Sequence, residues 1–227
     1  MNKIQTVEYI HNYCKDQTFD LDKFDFSAAK LTGADLTNAN LSRADLTGAK
    51  LTRADLTDAY LTRADLTGAY LTGANLSRAY LNGAKLIGAK LRRADLTGAK
   101  LRRADFTGAD LTNANLSRAD LTGAYLTRAD LTGAYLNGAD LTGADLWNTT
   151  GDGTYIKNID DDTYHIAYTS DSLQIGFQGH SFDEWLAFDD ETTGEMDEYA
   201  VEWWKENKVR IFDHINKNPA KKHAGHK

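Results

Sequence analysis

The chain has 227 residues, with 26 basic and 33 acidic side chains and a formal net charge of -7. Its one cysteine, Cys14, excludes a disulfide framework and a cysteine-based metal site, and suits a reducing compartment. No apolar run approaches the roughly 20 residues of a membrane span and no secretory-type apolar stretch opens the chain, so a soluble, cytoplasmic protein is expected.

Residues 1–18 read as a short helical cap, with Thr6 at its N-cap and Val7, Ile10 and Cys14 along one stripe. Phe19, Leu21, Phe24 and Phe26 then occupy the inward positions of a five-residue beat, with Phe where Ala later stands. A wide aromatic first coil under a helix reads as the end cap that a repeat array needs.

From Ala29 to Ala144 an alanine stands at every fifth residue, followed two residues later by Leu or Phe, in 24 units without insertion. A period of five fits neither a helix nor a strand, but it fits very short strands joined by corners. The corner positions are mostly Thr or Ser followed by Gly, Arg or Asn. Of these, Gly and Asn tolerate positive φ. Proline is absent from this stretch, as paired backbone N–H groups require.

The units ADLTGA, ANLSRA and ADLTRA resemble the A(D/N)LXX signature of the pentapeptide-repeat family over residues 19–148. That resemblance implies an all-β solenoid, a right-handed quadrilateral parallel β-helix with four pentapeptides per coil. Six coils at about 4.8 Å each would make a rod roughly 29 Å long, filled by side chains and without a substrate cavity.

After Trp147 the beat stops, and residues 149–216 read as a small C-terminal α+β module. TYHIAYTS and LQIGF alternate as a hairpin or two short strands. Ser181 and Glu184 form a capping box that starts a helix. Ala200, Trp204, Ile211 and Ile215 make one helical stripe, with Trp203 and Phe212 beside it. Residues 217–227 read as a disordered basic tail.

The pattern Ile175, Gly176, Gln178, His180, Glu184, Trp185, Trp203, Trp204 is similar to a module found in phage and bacterial pentapeptide-repeat proteins. Phe177 stands where that module has Cys, so any thiol chemistry is lost, and the resemblance brings no established activity. His180 and Glu184 read as a local cap and ion pair; two liganding groups fall short of a zinc site. No metal, cofactor or catalytic residue is expected. The tryptophans read as core. If the last helix packs on Trp147, removing that side chain should cost a few kcal/mol.

With four units per coil, residues twenty apart stack. One face then carries Lys30, Lys50, Arg53, Tyr70, Lys90, Arg92 and Arg93 before Asp110 and Asp130. The opposite face carries Asn40, Arg43, Tyr60, Arg63, Tyr80, Lys100, Arg102 and Arg103 before Asp120 and Asp140. The other two faces are mainly acidic. Residues 27–148 hold 15 basic and 12 acidic side chains, whereas residues 149–227 hold 8 and 16.

These strips point to a non-enzymatic scaffold that binds a protein partner through a rigid face, because arginine beside exposed aromatics marks binding hot spots. Two alternatives stand behind it. One is DNA mimicry against gyrase or another topoisomerase, which the resemblance implies but the slightly basic array disfavours. The other is binding of nucleic acid or another polyanion to the Tyr/Arg faces. The partner's identity, the functional face and a homodimer all stay open.

Overall fold

The computed structural model describes residues 2–3, 24–159, 161, 163–194 and 199–221. Asn2–Lys3 (β1) pairs in parallel with Phe24–Asp25 (β2), so these two residues are strand and not helix as expected. The remainder of the expected cap, including Thr6, Val7, Ile10, Cys14, Phe19 and Leu21, lies outside the described residues. Phe26 is buried beneath the first coil, as its inward position requires.

Every bridge from Asp25↔Asp45 to Asp130↔Thr150 joins residues twenty apart in parallel, so each coil has four sides. Two backbone bonds hold each rung. Leu46 N–H donates to the Asp65 carbonyl at 2.8 Å, and Asp65 N–H donates to the Ala44 carbonyl at 3.0 Å. The third residue back along the chain closes each corner, as when Ala54 N–H donates to the Leu51 carbonyl at 3.0 Å. Arg53 in that turn has φ of 57°, the positive value that defines the second corner residue of a type II turn. Leu and Ala point inward and are almost wholly buried along the array, in one continuous apolar column.

The aspartates and asparagines before each leucine have a structural task that the sequence reading left unexplained. Asp105 Oδ1 accepts the Thr107 N–H at 2.9 Å and the Thr107 hydroxyl at 2.6 Å. Asn115 Oδ1 accepts the Ser117 N–H at 3.1 Å. A short acceptor at this position satisfies a corner N–H that points away from the neighbouring coils.

Beyond the last coil, Lys157–Ile159 (β3), Ile166–Tyr168 (β4), Ser172–Ile175 (β5) and Gln178–Ser181 (β6) form an antiparallel meander in the order β3-β4-β5-β6. The hairpin read from TYHIAYTS and LQIGF is β4–β5; the flanking strands carry polar sequences and were not foreseen. Asn158, Ala167, Gln174 and Gly179 are paired across the sheet and form one row. That row faces the final coil. Ala167 joins the buried column of the array, Asn158 Nδ2 donates to the Thr149 carbonyl at 2.9 Å, and Gln174 binds Leu146 and Asp145.

The other face of the sheet carries Ile166, Tyr168, Leu173 and Ile175 against Trp185, Trp204, Ile211 and Ile215. Phe182–Ala187 (α1) and Ala200–Lys217 (α3) cover it, and the short Asp190–Gly194 (α2) packs on α3. Ser181 caps α1 through the expected box with Glu184, and the expected stripe of α3 is the buried one. The sheet is therefore sandwiched between coil and helices, which explains why all of β4 is buried although strands usually alternate.

The start of the predicted basic tail is ordered. Lys217 ends α3, Ala220 is buried, and Lys221 N–H donates to the Thr154 carbonyl at 2.9 Å. Residues 222–227 lie outside the described residues. No described helix is long and apolar enough to cross a membrane.

Candidate functional site

The bridges Tyr60↔Tyr80 and Tyr80↔Lys100 place these three residues on one ladder, and Lys50↔Tyr70 and Tyr70↔Lys90 on another. Tyr60 and Tyr80 stack with ring centroids 4.9 Å apart and planes 4° from parallel, while remaining 38% and 39% exposed. Arg63 and Arg103 occupy the corner column beside this ladder at intervals of two coils, with Gly83 between them. Arg53 and Arg93 flank the Tyr70 ladder in the same way, around Gly73.

Two choices in these strips depart from what the coil locally prefers. Lys or Tyr replaces the Asp or Asn that caps the corner N–H. Arginine also stands at positive φ, where glycine carries no steric penalty. Among the described residues, eight of the thirteen non-glycine residues with positive φ are arginines. The stem of Arg63 runs past Gly83, with its Cγ 3.6 Å from the place a Cβ there would occupy.

Charge pairing is uneven over the rod. Arg78 binds Asp58 through two contacts of 2.9 and 2.6 Å, and its guanidinium lowers the Asp58 pKa by hydrogen bonding. Lys85 lies 3.6 Å from Asp65, and Arg128 covers the Trp147 ring at 4.9 Å. On the strips, Lys50, Arg53, Arg63, Lys90, Arg93, Lys100 and Arg103 have no ion pair among the described residues. Arg92 differs, with Asp110 at 3.9 Å, and the Arg102 N–H donates to Asn82 Oδ1 at 3.1 Å. Off the strips, Arg118 likewise has no ion pair.

The C-terminal motif residues fall into two groups. Gln178, Trp185, Trp203 and Trp204 line one cleft of about 620 Å³. His180 and Glu184 lie away from it. The Glu184 carboxylate accepts from the Ser181 N–H at 2.8 Å, which lowers its pKa, and the His180 ring packs edge-on against Trp185 and Phe188. Among the described residues, no group of three or more His, Cys, Asp or Glu side chains could hold a metal ion. Trp185 and Trp204 are core as expected, Trp203 is half-buried against them, and all three also form a wall.

His165, outside that motif, has a fixed role at the junction. Its Nδ1 accepts the Asn148 N–H at 3.0 Å, at the last corner of the array. Burial lowers its pKa, and the bonded Nδ1 has no room for a second proton. Trp147 stacks on Phe177 at 4.4 Å and under Arg128, not on α3 as the sequence reading allowed.

A family model described as pentapeptide repeats matches in eight copies, over segments running from 20–58 to 109–148. No curated protein matches the chain. Among solved structures, HetL, a pentapeptide repeat protein involved in heterocyst differentiation regulation from the cyanobacterium Nostoc sp. strain PCC 7120, is 38% identical. That alignment covers 57% of this chain and 73% of HetL, at a TM-score of 0.29. Trypsin-treated QnrB1, a plasmid-mediated fluoroquinolone resistance protein, is 27% identical over 58% of this chain and 68% of its own, at a TM-score of 0.37. A pentapeptide repeat protein of the Arabidopsis thaliana thylakoid lumen is 30% identical over 54% of this chain and 69% of its own, at a TM-score of 0.25.

Proposed function

This chain belongs to the pentapeptide-repeat family, whose coils form a right-handed four-sided β-helix, and on that premise we propose that it is a non-enzymatic scaffold presenting its Tyr60–Tyr80 strip to a protein partner. The observation that carries this reading is the unequal treatment of cations. Arg78, Lys85 and Arg128 have partners within the molecule, whereas Arg63, Lys100 and Arg103 beside the stacked tyrosines have no ion pair among the described residues. Half-exposed aromatic rings flanked by such arginines supply rigid apolar area and bidentate donors for carboxylates, the combination enriched in hot spots.

Affinity capture from bacterial extract tests it, comparing the full chain with Tyr60→Ser/Arg63→Gly/Tyr80→Ser/Arg103→Gly. A protein held by the parent and lost from the variant is expected. Identical captured sets from both would overturn the reading.

The same unpaired cations and stacked rings also suit a polyanion, the second reading. It requires retention on immobilised DNA or heparin that falls steeply with salt. DNA mimicry fits less well, because the array carries more basic than acidic side chains and its acidic columns are sparse and flanked by basic ones. Inhibition of gyrase supercoiling by the purified protein at low micromolar concentration would reverse that ranking.

A further inference from the structure

All four tryptophans of the chain line one cleft of about 620 Å³ beside the capping sheet, a size within the range of small-molecule sites. Trp185 and Trp204 reach it from the core, 5.0 Å apart. Trp203 meets Tyr164 edge-on at 4.7 Å. Trp147 reaches it from the last coil, stacked on Phe177 at the β5–β6 turn. Phe177 is 78% exposed, so burial in the fold gives this phenylalanine little stabilisation. Its ring makes a wall of the cleft.

A second observation is independent of the first. Trp204 is 4% exposed, and its Nε1 has no hydrogen-bond partner among the described residues. Trp185, its neighbour, donates its own Nε1–H to the Leu173 carbonyl at 2.6 Å. Buried indole N–H groups almost always find an acceptor, and leaving one unpaired is costly. Trp204 belongs to the cleft wall, and a turn of its ring toward the cleft would bring this closed-off donor to an acceptor carried there. His165, also in the wall, has its Nδ1 occupied by the Asn148 N–H and its Nε2 3.2 Å from Asn158 Nδ2, and among the described residues Trp204 Nε1 is the buried side-chain polar atom without a partner.

We propose that this cleft is a binding site for a small molecule with a flat apolar body and a carbonyl or carboxylate acceptor. The body lies against the Trp147–Phe177 stack and the Tyr164–Trp203 pair, and the acceptor takes the Trp204 Nε1–H. The site is separate from the strips of the rod and does not depend on their function.

Calorimetry and ligand-observed NMR on the full chain test the assignment, with naphthoate as the probe and naphthylmethylammonium as a donor-only analogue of the same shape. Saturable naphthoate binding is expected, with the ammonium analogue about tenfold weaker. Trp204→Phe should weaken naphthoate about tenfold, the loss of one hydrogen bond to a charged group. Phe177→Ala, at an exposed turn position, should keep the fold and weaken both probes. Absence of saturable naphthoate binding at millimolar concentration would overturn the site. Equal binding by the parent and Phe177→Ala would do the same. A preference for the ammonium, or unchanged naphthoate affinity in a folded Trp204→Phe, would overturn the acceptor assignment.

Discussion

The side-chain oxygen of Gln174 accepts the Leu146 N–H at 2.6 Å, although the two residues are 28 apart in sequence. In an internal coil the equivalent N–H donates to the coil above, as Leu126 does to the Asp145 carbonyl at 2.8 Å. At the end of the array no further coil exists, and one side chain of the capping sheet takes its place. The Gln174 amide also donates to Asp145 Oδ1 at 2.8 Å, so both ends of the side chain are used.

Gln174→Leu should therefore destabilise the protein by about 1–3 kcal/mol, the cost of a buried donor left unpaired. Urea melts followed by far-UV circular dichroism measure it. A loss below about 0.5 kcal/mol would show that the sheet does not hold the last coil through this residue.

Replacing Arg63 or Arg103 by Gly should leave stability nearly unchanged. Relief of the positive φ gains about 1 kcal/mol, while the added freedom of the unfolded chain costs about 0.4–1 kcal/mol. Melting temperatures of the single variants should lie within a few degrees of the parent. Loss of a partner in these variants would then report the surface and not the fold.

Asp105→Ala should cost about 1 kcal/mol, because the Thr107 N–H loses its acceptor. Asp105→Asn should cost much less, since an amide oxygen fills the same place, as Asn115 shows. Equal losses for the two variants would mean that the charge, and not the acceptor, supports the corner.

Acidification should weaken the junction. His165 has a folded pKa below its ordinary 6.5, through burial, so the unfolded chain takes up a proton that the folded one resists. Stability from this group is thus full above about pH 6.5 and declines as pH falls toward the lower folded value. His165→Asn keeps an acceptor for the Asn148 N–H and removes the titration. Thermal melts at several pH values should show a shallower decline for that variant across this window.

Trp147→Ala should cost about 1 kcal/mol, less than packing of α3 on the last coil would have implied. Trp147 is half-buried and its contacts are the exposed Phe177 and the Arg128 guanidinium. Chemical denaturation checks the value, and a loss above about 3 kcal/mol would restore Trp147 as a core residue.

The coils were legible because their information is local and strictly repeated. Each Ala and Leu faces inward by its place in a five-residue unit, and an unbroken beat also assigns Tyr60, Tyr80 and Lys100 to one ladder. The α1 cap was legible for the same reason, since Ser181 and Glu184 lie within one turn. The strands β3 and β6 were not. Lys157–Ile159 and Gln178–Ser181 are short and largely polar, and their pairing depends on β4 and β5 being in place. Charge pairing was legible only as columns: Asp58 and Arg78 stand twenty residues apart and so stack, and the structure adds the bond between them at 2.6 Å.

By itself, then, the sequence determined the rod, its buried column and the membership of each face, because periodic side-chain placement needs no knowledge of distant partners. The tertiary structure decided how the rod ends. A row of Asn158, Ala167 and Gln174 seals the last coil, while the opposite side of the same sheet builds an aromatic core and cleft. Both depend on which face of a short strand meets which neighbour, and that is settled by burial and by the hydrogen bonds an unfinished coil leaves open.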